Sequence, residues 1–424
     1  MVEIKPFRGW RYNPERVRLE DVLAPPYDVV TPEEQKLYLQ KSPYNVFHLE
    51  LGEIFSSDTP EENRYTRARK HWETWRQEGI LLKERYPAIY LYRLHFPWQG
   101  KTLTRRGFIA LVRLAPWKTR RILPHEKTFD RVTEDRLKLL RETRAQFSQI
   151  FCLYHDKDLE SLRTLEEHAE ALFAVENAEE THELLRISAP EAFKKVEEVL
   201  SRGPLYIADG HHRYTTALRF MEEMEKQYGA TPPRCFHYMM MYLCPFEEPG
   251  LLVLPTHRLI SLPWDRDEVL RKLQKLGRLE RITIPSPEEL KKLPSRSFVL
   301  LHEGEAFRFT LAEELLKNWE KANHREIARL PVAIFAKVLE EAFQVSEPKL
   351  KEEGKLLYTP WVELLQEKAY GKRFGFLLPP TPVLALEEVA QAGLVMPHKS
   401  TYFHPKILTG TVFFEILPDR GPPC

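Results

Sequence analysis

Residues 206–218, YIADGHHRYTTAL, place an aspartate, a glycine, two histidines and an arginine between a short apolar run and a helical pattern. Gly210 lets the backbone turn sharply, and the amides that follow point out of a helix N-terminus, which favours anions. Arg213 and a protonated histidine would add charge-assisted bonds to phosphate oxygens. The stretch therefore predicts a phosphate site. A zinc site and a plain helix cap are the alternatives.

The acidic and imidazole groups of this stretch are the candidate catalytic residues Asp209, His211 and His212. Three roles are open to Asp209: it orients a histidine, binds Mg²⁺ through a phosphate, or acts as a base. If the stretch only caps a helix, Asp209 is the capping residue and the histidines are surface polar groups.

Two further polar stretches precede this junction in the chain. LPHEKT, residues 123–128, follows an apolar strand end and presents His125 and Glu126 beside a lysine. It is either a carboxylate base next to a cation or a solvated turn. The helix after it places Arg141 and Arg144 about one turn apart on one face. That face is either anion-binding or simply solvated.

Near the C-terminus, MPHKSTYFHPK (396–406) brings Lys399, Ser400, Thr401 and Lys406 into an otherwise apolar region. Hydroxyls and lysines compressed between prolines resemble an anion loop. LPTHRLI (254–260) sets a histidine and an arginine within strand-like residues. Each of these two stretches is either part of a site or an exposed strand end.

The elements that would position these residues predict an α/β fold, with α+β as the alternative. GATPPRC (229–235) is the candidate boundary between two domains, 1–230 and 231–424. Apolar periodicity and turn residues predict the following elements: a helix over 61–78, a hairpin over 88–114 turning at Gln99-Gly100, a helix capped by Thr133 and ending near Arg144, a mostly helical connection over 156–203, a helix over 213–227, a hairpin over 297–311 turning at Gly304, and a charged, helical segment over 312–368.

Composition narrows the class of protein. The formal net charge of the 424 residues is +1, so no global field favours DNA or anionic membranes, and no apolar run approaches the roughly 20 residues that span a bilayer. The first residues show no secretory signal pattern. Four cysteines without metal or redox spacing are typical of a cytoplasmic protein. Neither common nucleotide cradle, GxxxxGK[ST] or GxGxxG, is present, and GxSxG and HExxH are absent too.

Several motifs together resemble one bacterial and archaeal family, catalogued as domain of unknown function 1015. The resemblance runs from about residue 4 to about residue 417. It rests on separate stretches, among them APPYDVVTPEE, SPYNVFHLEL, LPHEKT, ADGHHRYTTAL and MPHKSTYFHPK. The family itself implies no activity.

The strand–DGHHR–helix unit also resembles the phosphate-binding motif of the ParB/sulfiredoxin superfamily, which includes free-serine kinases. This resemblance implies a ParB/sulfiredoxin-like N-terminal half with a mixed strand and helix C-terminal half. Sulfiredoxin needs a cysteine inside the motif, where this chain has His211 or His212. Partition proteins carry a basic helix-turn-helix after the motif, and no such segment is seen before residue 300. Salt-dependent DNA binding is therefore not expected at a net charge of +1.

The superfamily resemblance implies phosphoryl transfer to a small hydroxylated metabolite, with free serine as the first candidate acceptor. Glu126 would accept the hydroxyl proton. The remaining site residues divide into phosphate-binding Gly210, Arg213, Arg144, Lys399, Ser400 and Thr401, substrate-binding Tyr27, Asp28 and His125, and metal-binding Asp209.

Mg²⁺ would accompany the donor, which is left open among ATP, ADP, CTP and pyrophosphate, and the oligomeric state is not assigned. The expected partners are the small-molecule substrate and the phosphate donor, with no nucleic acid and no membrane. The same anion cradle would also serve a phosphatase. The alternative function is a nucleotide-binding regulatory or scaffold protein without turnover.

Overall fold

The structure is a computed structural model that describes residues 1–421. Its mixture of helices and strands makes the chain an α/β protein, as predicted. The strands, numbered in chain order, are β1 Ile4–Lys5, β2 Trp10–Tyr12, β3 Leu81–Lys83, β4 Ile89–Trp98, β5 Lys101–Arg113, β6 Ile122–Leu123, β7 Ala145–Gln146, β8 Ile150–Tyr154, β9 Glu170–Asn177, β10 Glu180–Ile187, β11 Leu205–Asp209, β12 Tyr238–Pro245, β13 Leu252–Leu254, β14 His257–Ser261, β15 Gly277–Ile282, β16 Ser297–His302, β17 Glu305–Leu311, β18 Leu356–Thr359, β19 Arg373–Leu377, β20 Tyr402–His404 and β21 Phe414–Glu415.

The helices are mostly short, and only a few exceed three turns. They are α1 Leu19–Val22, α2 Pro32–Lys41, α3 Phe47–Glu50, α4 Arg64–Gln77, α5 Asp130–Thr143, α6 Glu160–Glu167, α7 Pro190–Leu200, α8 His211–Tyr228, α9 Arg266–Gln274, α10 Pro287–Lys291, α11 Glu313–Ala322, α12 Arg325–Ala328, α13 Pro331–Phe343, α14 Glu347–Glu352, α15 Val362–Lys368 and α16 Val383–Gln391. Among the helices of residues 1–421, none has both the length and the apolar character needed to cross a bilayer.

The chain folds into two compact units. The first comprises residues 1–124 and 128–251, together with the chain from Pro405 onward, and the second comprises residues 125–127 and 252–404. The boundary predicted between residues 230 and 231 falls inside the first unit, because β12 completes the sheet of that unit before the chain leaves it after Leu251.

A mixed sheet of nine strands forms the first unit. Its order is β6-β11-β8-β12-β5-β4-β10-β9, and β1 pairs with β5. β12 lies centrally, antiparallel to β5 and parallel to β8. All eight of its residues, YMMMYLCP, are buried, which is the continuous apolar pattern of a strand covered on both faces.

One core cluster of the first unit contains several large aromatic side chains. Trp72 of α4 contacts Phe147 and Phe413 edge-on, at ring distances of 5.5 and 5.8 Å. Edge-to-face geometry is favoured because the positive ring edge meets the negative face of its neighbour. Residues from the beginning, middle and end of the first unit's chain therefore share one core.

Several predicted elements are confirmed. α4 and α8 begin and end within three residues of the predicted positions, and the hairpin β4–β5 turns at Gln99-Gly100. Both turn residues have positive φ, 49° and 75°, as the tight turn between twisted strands requires. The hairpin β16–β17 is also present, with Gly304 at positive φ.

Two local predictions are wrong. α5 begins at Asp130 after Phe129, not at Thr133, whose hydroxyl instead donates to the Phe129 carbonyl inside the first turn. The connection over 156–203 contains the hairpin β9–β10 between two helices. β9 is an edge strand in which only Val175 is fully buried, so its sequence lacks the alternation of apolar and polar residues that marks a half-buried strand.

The second unit is built on a six-stranded antiparallel sheet of order β15-β17-β16-β19-β14-β18. A separate two-stranded ladder joins β13 to β20. Apolar residues on one side of the sheet, such as Val299, Leu301 and Leu377, form a core with Leu365 of α15. The charged sequence over 312–368 is largely helical, as predicted, and is interrupted by β18.

Candidate functional site

The DGHHR stretch lies where β11 ends and α8 begins, as predicted. The β11–β8 register shifts between Ile207 and Asp209, and Gly210 follows with φ of 98°. Tyr214 donates the first intrahelical bond to the Gly210 carbonyl, 3.1 Å away. The amides before Tyr214 therefore point out of the end of an 18-residue helix, where the helix dipole favours negative charge.

Arg213 folds back beneath this turn. A Cβ at Gly210 would lie 2.9 Å from Nη2 and 3.0 Å from Nε of Arg213, so the close approach requires glycine. Arg213 Nη1 donates to the carbonyl of Gln149 at 2.5 Å. Burial opposes the charge of the guanidinium, but the neighbouring acidic groups, Asp209 first and then Asp28, raise the pKa of Arg213. Arg213 is a fixed, buried cation of the junction.

Asp209 lies between two cations. Lys406 Nζ donates to Asp209 Oδ2 at 2.7 Å, and Arg213 Nη2 lies 3.8 Å from Oδ1. The Lys406 and Asp209 side chains are only 16% and 19% exposed. Lys406 is the last residue of the stretch MPHKSTYFHPK, which resembles an anion loop. Its pairing with Asp209 was not predicted, because the two residues lie 197 positions apart.

The two histidines differ in their surroundings. His211 is buried and His212 is half-buried. His212 Nε2 accepts a hydrogen bond from the Phe129 amide at 3.1 Å, and its ring stacks on the Phe129 ring. That amide is at the start of α5, so His212 helps to cap α5 through a ring nitrogen that carries no proton. This contact orients the imidazole that was predicted to act on phosphate.

Tyr27 and Asp28, predicted to bind substrate, lie beside Arg213. Both carry acidic groups that act on the Arg213 charge, and the Tyr27 ring stacks under the guanidinium of Arg136 at 4.5 Å. The structure therefore places the loop after Pro26 close to the DGHHR junction, and substrate binding by Tyr27 and Asp28 stays a prediction.

Sequence analysis missed the buried pair Glu50 and Arg136. Their side chains lie 3.5 Å apart, and Arg136 also donates to the Glu50 carbonyl at 2.7 Å. Ser148 donates to Glu50 Oε1 at 3.2 Å. Burial raises the pKa of Glu50, while the charges of Arg136 and Arg213 act in the opposite direction. The signal available in the sequence was Glu50, the one carboxylate in the otherwise uncharged and largely apolar stretch SPYNVFHLEL.

A cavity of about 50 Å³ adjoins this buried pair. Polar groups of Glu50, Arg136, Ser148 and Arg213 line one part of it, and leucines of α5 line another. The volume suits a few water molecules. The charged cluster of the first unit therefore borders a small, partly apolar pocket beside α8.

Arg144 belongs to a different surface of the first unit. It ends α5 in the left-handed conformation, with φ of 47°, and its carbonyl accepts from the Ile416 amide at 2.7 Å. Its side chain lines a groove with Arg69, Arg76 and Arg141. A role for Arg144 in phosphate binding stays a prediction.

The other predicted residues belong to the second unit. His125 is buried, its carbonyl accepts from the Met396 amide at 2.7 Å, and its Nε2 lies 3.4 Å from the Thr401 hydroxyl. Ser400 Oγ donates to the Pro397 carbonyl at 2.6 Å, which closes a turn. Within this unit the structure brings His125 and Thr401 together. Glu126 and Lys399 flank these residues in the chain, and Lys399 has a positive φ of 56°.

A metal site made of protein ligands is not seen in the described part of the chain. Residues 1–421 contain no group of three or more His, Cys, Asp or Glu side chains placed to hold a metal ion. Mg²⁺ usually takes one or two carboxylates together with phosphate oxygens and water. Asp209 would fit that role only in company with a bound phosphate.

Comparison with known proteins identifies a family. The family described as "Protein of unknown function (DUF1015)" matches residues 4–333. No curated protein matches the chain.

Solved structures that are similar to the chain include a free serine kinase in complex with AMP. That kinase is 16% identical, with 70% of this chain and 88% of the kinase covered and a TM-score of 0.35. A conserved hypothetical protein from Pyrococcus furiosus is 15% identical, with 70% and 93% covered and a TM-score of 0.34. The protein SbnI from Staphylococcus aureus, with a C-terminal truncation, is 12% identical, with 70% and 85% covered and a TM-score of 0.34. These values are too low for inferring a shared activity or a shared site.

Proposed function

Given that the chain belongs to the family DUF1015, whose description states no activity, we propose from its own site that the protein is a phosphotransferase. It acts on a small hydroxylated metabolite, and free serine is the first acceptor to test. The observation that carries the proposal is the β11–α8 junction. There, outward-pointing amides, a left-handed Gly210 and the buried Arg213 meet around one carboxylate.

Phosphoryl transfer depends on positioning and on neutralising charge more than on covalent help from the protein. The N-terminal end of α8, with His211, His212 and Arg213, would hold the donor phosphates. With Nε2 accepting from the Phe129 amide, a neutral His212 would offer phosphate a hydrogen bond from its Nδ1–H. Mg²⁺, when bound with the phosphates, would neutralise further charge, and Asp209 is the residue of the junction that would hold it.

The acceptor hydroxyl oxygen would attack the transferred phosphorus as the bond to the leaving phosphate breaks. The hydroxyl proton would pass to a carboxylate base, for which Glu126 is the candidate. Tyr27, Asp28 and His125 are the candidate residues for positioning the acceptor, and Lys399, Ser400 and Thr401 remain candidates for phosphate contacts. Each of these roles is tested by substitution.

The first experiment measures phosphoserine formed from L-serine and Mg²⁺ with ATP, ADP, CTP or pyrophosphate as donor. Wild type is compared with Glu126→Gln and His212→Ala. The controls are Glu167→Gln and His168→Ala, at residues of α6 and its C-terminal end. We expect both test variants to lose transfer, Glu126→Gln to keep nucleotide affinity, and both controls to behave as wild type.

A nucleotide-binding regulatory protein is the second candidate function. The observation that favours it is the commitment of His212 Nε2 and Arg213 Nη1 to main-chain partners, which suits a rigid binding site. Tight nucleotide binding without transfer from any donor would establish this function in place of the kinase. Absence of both binding and transfer would leave the junction as a capped helix.

A further inference from the structure

The last described segment of the chain, residues 405–421, belongs to the first unit. Buried side chains fix its start. Arg105 Nη2 donates to the Pro405 carbonyl at 2.8 Å, and Gln149 Nε2 donates to the Leu408 carbonyl at 3.1 Å. The Leu408 amide donates to the Tyr92 hydroxyl at 3.1 Å. Lys406 is therefore held on both sides.

Lys406 reaches the DGHHR junction from this fixed backbone. Its ammonium lies 2.7 Å from Asp209, and both side chains are more than four-fifths buried. Partial burial makes such a pair stronger than an exposed one, because solvent screens it less. Asp209 also faces Arg213 at 3.8 Å, so this carboxylate stands between two cations.

Gln149 links Arg213 to the segment that carries Lys406. Gln149 is 3% exposed, and its side-chain Oε1 has no hydrogen-bond partner among the described residues. The same residue accepts from Arg213 through its carbonyl and donates to Leu408. Phosphate oxygens are acceptors, so Gln149 Oε1 is not a phosphate contact, and the role of Gln149 is to hold Arg213 and the segment that carries Lys406 beside each other.

We propose that Lys406 binds a phosphate group at the DGHHR junction and that Asp209 positions its ammonium. The ligand class is a terminal phosphate oxyanion, carried by a nucleotide or by pyrophosphate. Lysine suits this role as a compact charge with three donors. Asp209 then acts through Lys406, which lies outside the family match over residues 4–333. This inference rests on the proposed function only for the identity of the ligand.

The test is calorimetric titration of the full chain with ADP and, separately, with inorganic pyrophosphate. Lys406→Met is expected to weaken binding of both probes by about tenfold to a hundredfold, the effect of one charge-assisted hydrogen bond. Lys406→Arg keeps the charge and is expected to lose less. Lys157→Met, at an exposed lysine of the first unit, is the control and should bind as wild type. Binding of ADP alone would assign the site to nucleotides.

A double variant separates ligand contact from a structural ion pair. If Lys406 contacts phosphate, adding Lys406→Met to Asp209→Asn costs at least a further fivefold in affinity. If Lys406 only neutralises Asp209, the double variant binds as well as Asp209→Asn alone, and the proposal fails. A thermal unfolding midpoint for each variant shows that the loss is not unfolding.

Failure of this inference is distinct from failure of the kinase proposal. Affinity lost in Lys406→Met, with no phosphate transfer by wild type, supports the Lys406 site and overturns the kinase. Transfer by wild type with unchanged probe affinity in Lys406→Met supports the kinase and overturns the Lys406 site. Wild type that binds neither probe overturns both.

Discussion

The DGHHR junction of the first unit and a set of basic residues in the second unit, Lys351, Lys399 and His257, contain similar residue types. Their electrostatic surroundings are opposite. At the junction, acidic neighbours outweigh burial and raise the pKa of Arg213. In the second unit, burial and the nearby charge of Lys399 lower the pKa of Lys351. Burial and the charge of Arg258 likewise lower the pKa of His257, to about 3.

The difference shows that a motif of lysines, histidines and hydroxyls does not by itself reveal whether its basic residues are stabilised in the charged form. The charged form of such residues is stabilised where a carboxylate lies beside them, whether it is close or distant in the chain. Asp209 supplies that carboxylate at the junction. For Lys351 and Lys399, no carboxylate within residues 1–421 forms an ion pair with either ammonium. The junction therefore favours its cations, whereas Lys351 lacks such a carboxylate and its charged form is disfavoured.

The largest expected effect comes from breaking the junction with Gly210→Ala. Alanine at position 210 would have to keep the positive φ of the glycine. Its Cβ would lie 2.9–3.1 Å from the Arg213 guanidinium. We expect a loss of about 3 kcal/mol in the free energy of unfolding, from strain and displaced contacts together. Urea unfolding measures it.

Two glycines separate the contributions to that loss. Gly79→Ala has a positive φ and open space, so it reports strain alone, about 1 kcal/mol. Gly203→Ala meets nothing within 4 Å and should be neutral. Equal losses in Gly210→Ala and Gly79→Ala would show that the Arg213 contact adds nothing.

The next largest effect is a loss of stability at acidic pH, which we expect from His257 of the second unit. The pKa of His257 is about 3 in the folded protein, below the ordinary value near 6.5, so the unfolded chain binds the proton first. The contribution of His257 is present above pH 6.5 and is lost as the pH falls. His257→Asn can keep an acceptor for the Leu378 amide and removes the titration. Between pH 8 and pH 5, wild type should lose about 2 kcal/mol more stability than the variant.

Unfolding measured across that pH range tests this prediction. His324→Asn, at an exposed histidine of the same unit, is the control and should keep the wild-type pH dependence. If His257→Asn shows the same pH dependence as wild type, the pKa of His257 is not lowered in the folded protein and the prediction is wrong.

Neutralising one lysine in each region should change stability in opposite directions. Lys406→Met leaves the Asp209 carboxylate without its closest cation, 2.7 Å away, and is expected to destabilise the protein by about 1–2 kcal/mol. Denaturant unfolding at pH 7, repeated at high salt, measures the loss. An unchanged midpoint would mean that Arg213 alone balances Asp209.

The smallest effect is expected for Lys351→Met. Removing one of two neighbouring positive charges should stabilise the second unit by about 0.3 kcal/mol, a small value because solvent screens an exposed lysine. The same unfolding experiment at low salt measures it. A loss of stability as large as that of Lys406→Met would erase the contrast between the two regions.

Much of the junction could be predicted from sequence because its determinants are local. The apolar run, the glycine and the helical spacing after it are contiguous, and they specify β11, the turn and α8. The hairpin β4–β5 was predictable for the same reason, since a two-residue turn lies between alternating strands. Local patterns also misled: a threonine inside the first turn of α5 resembled a cap.

The remainder of the site is assembled from long-range contacts. Glu50 and Arg136 meet across 86 positions, and Lys406 meets Asp209 across 197. Each residue is unremarkable in its own stretch, because its role depends on which strand or helix packs beside it. Spacing along the chain carries no information on such pairs.

The return of residues 405–421 to the first unit has a consequence for how the protein is made. Synthesis proceeds from the N-terminus, so residues 1–251 leave the ribosome long before the segment that holds Phe413, Lys406 and β21. The nascent first unit must keep an aromatic core without Phe413 and the Asp209 carboxylate without Lys406 while the second unit is translated. The folded arrangement of the DGHHR junction can therefore be completed only after translation has passed residue 406.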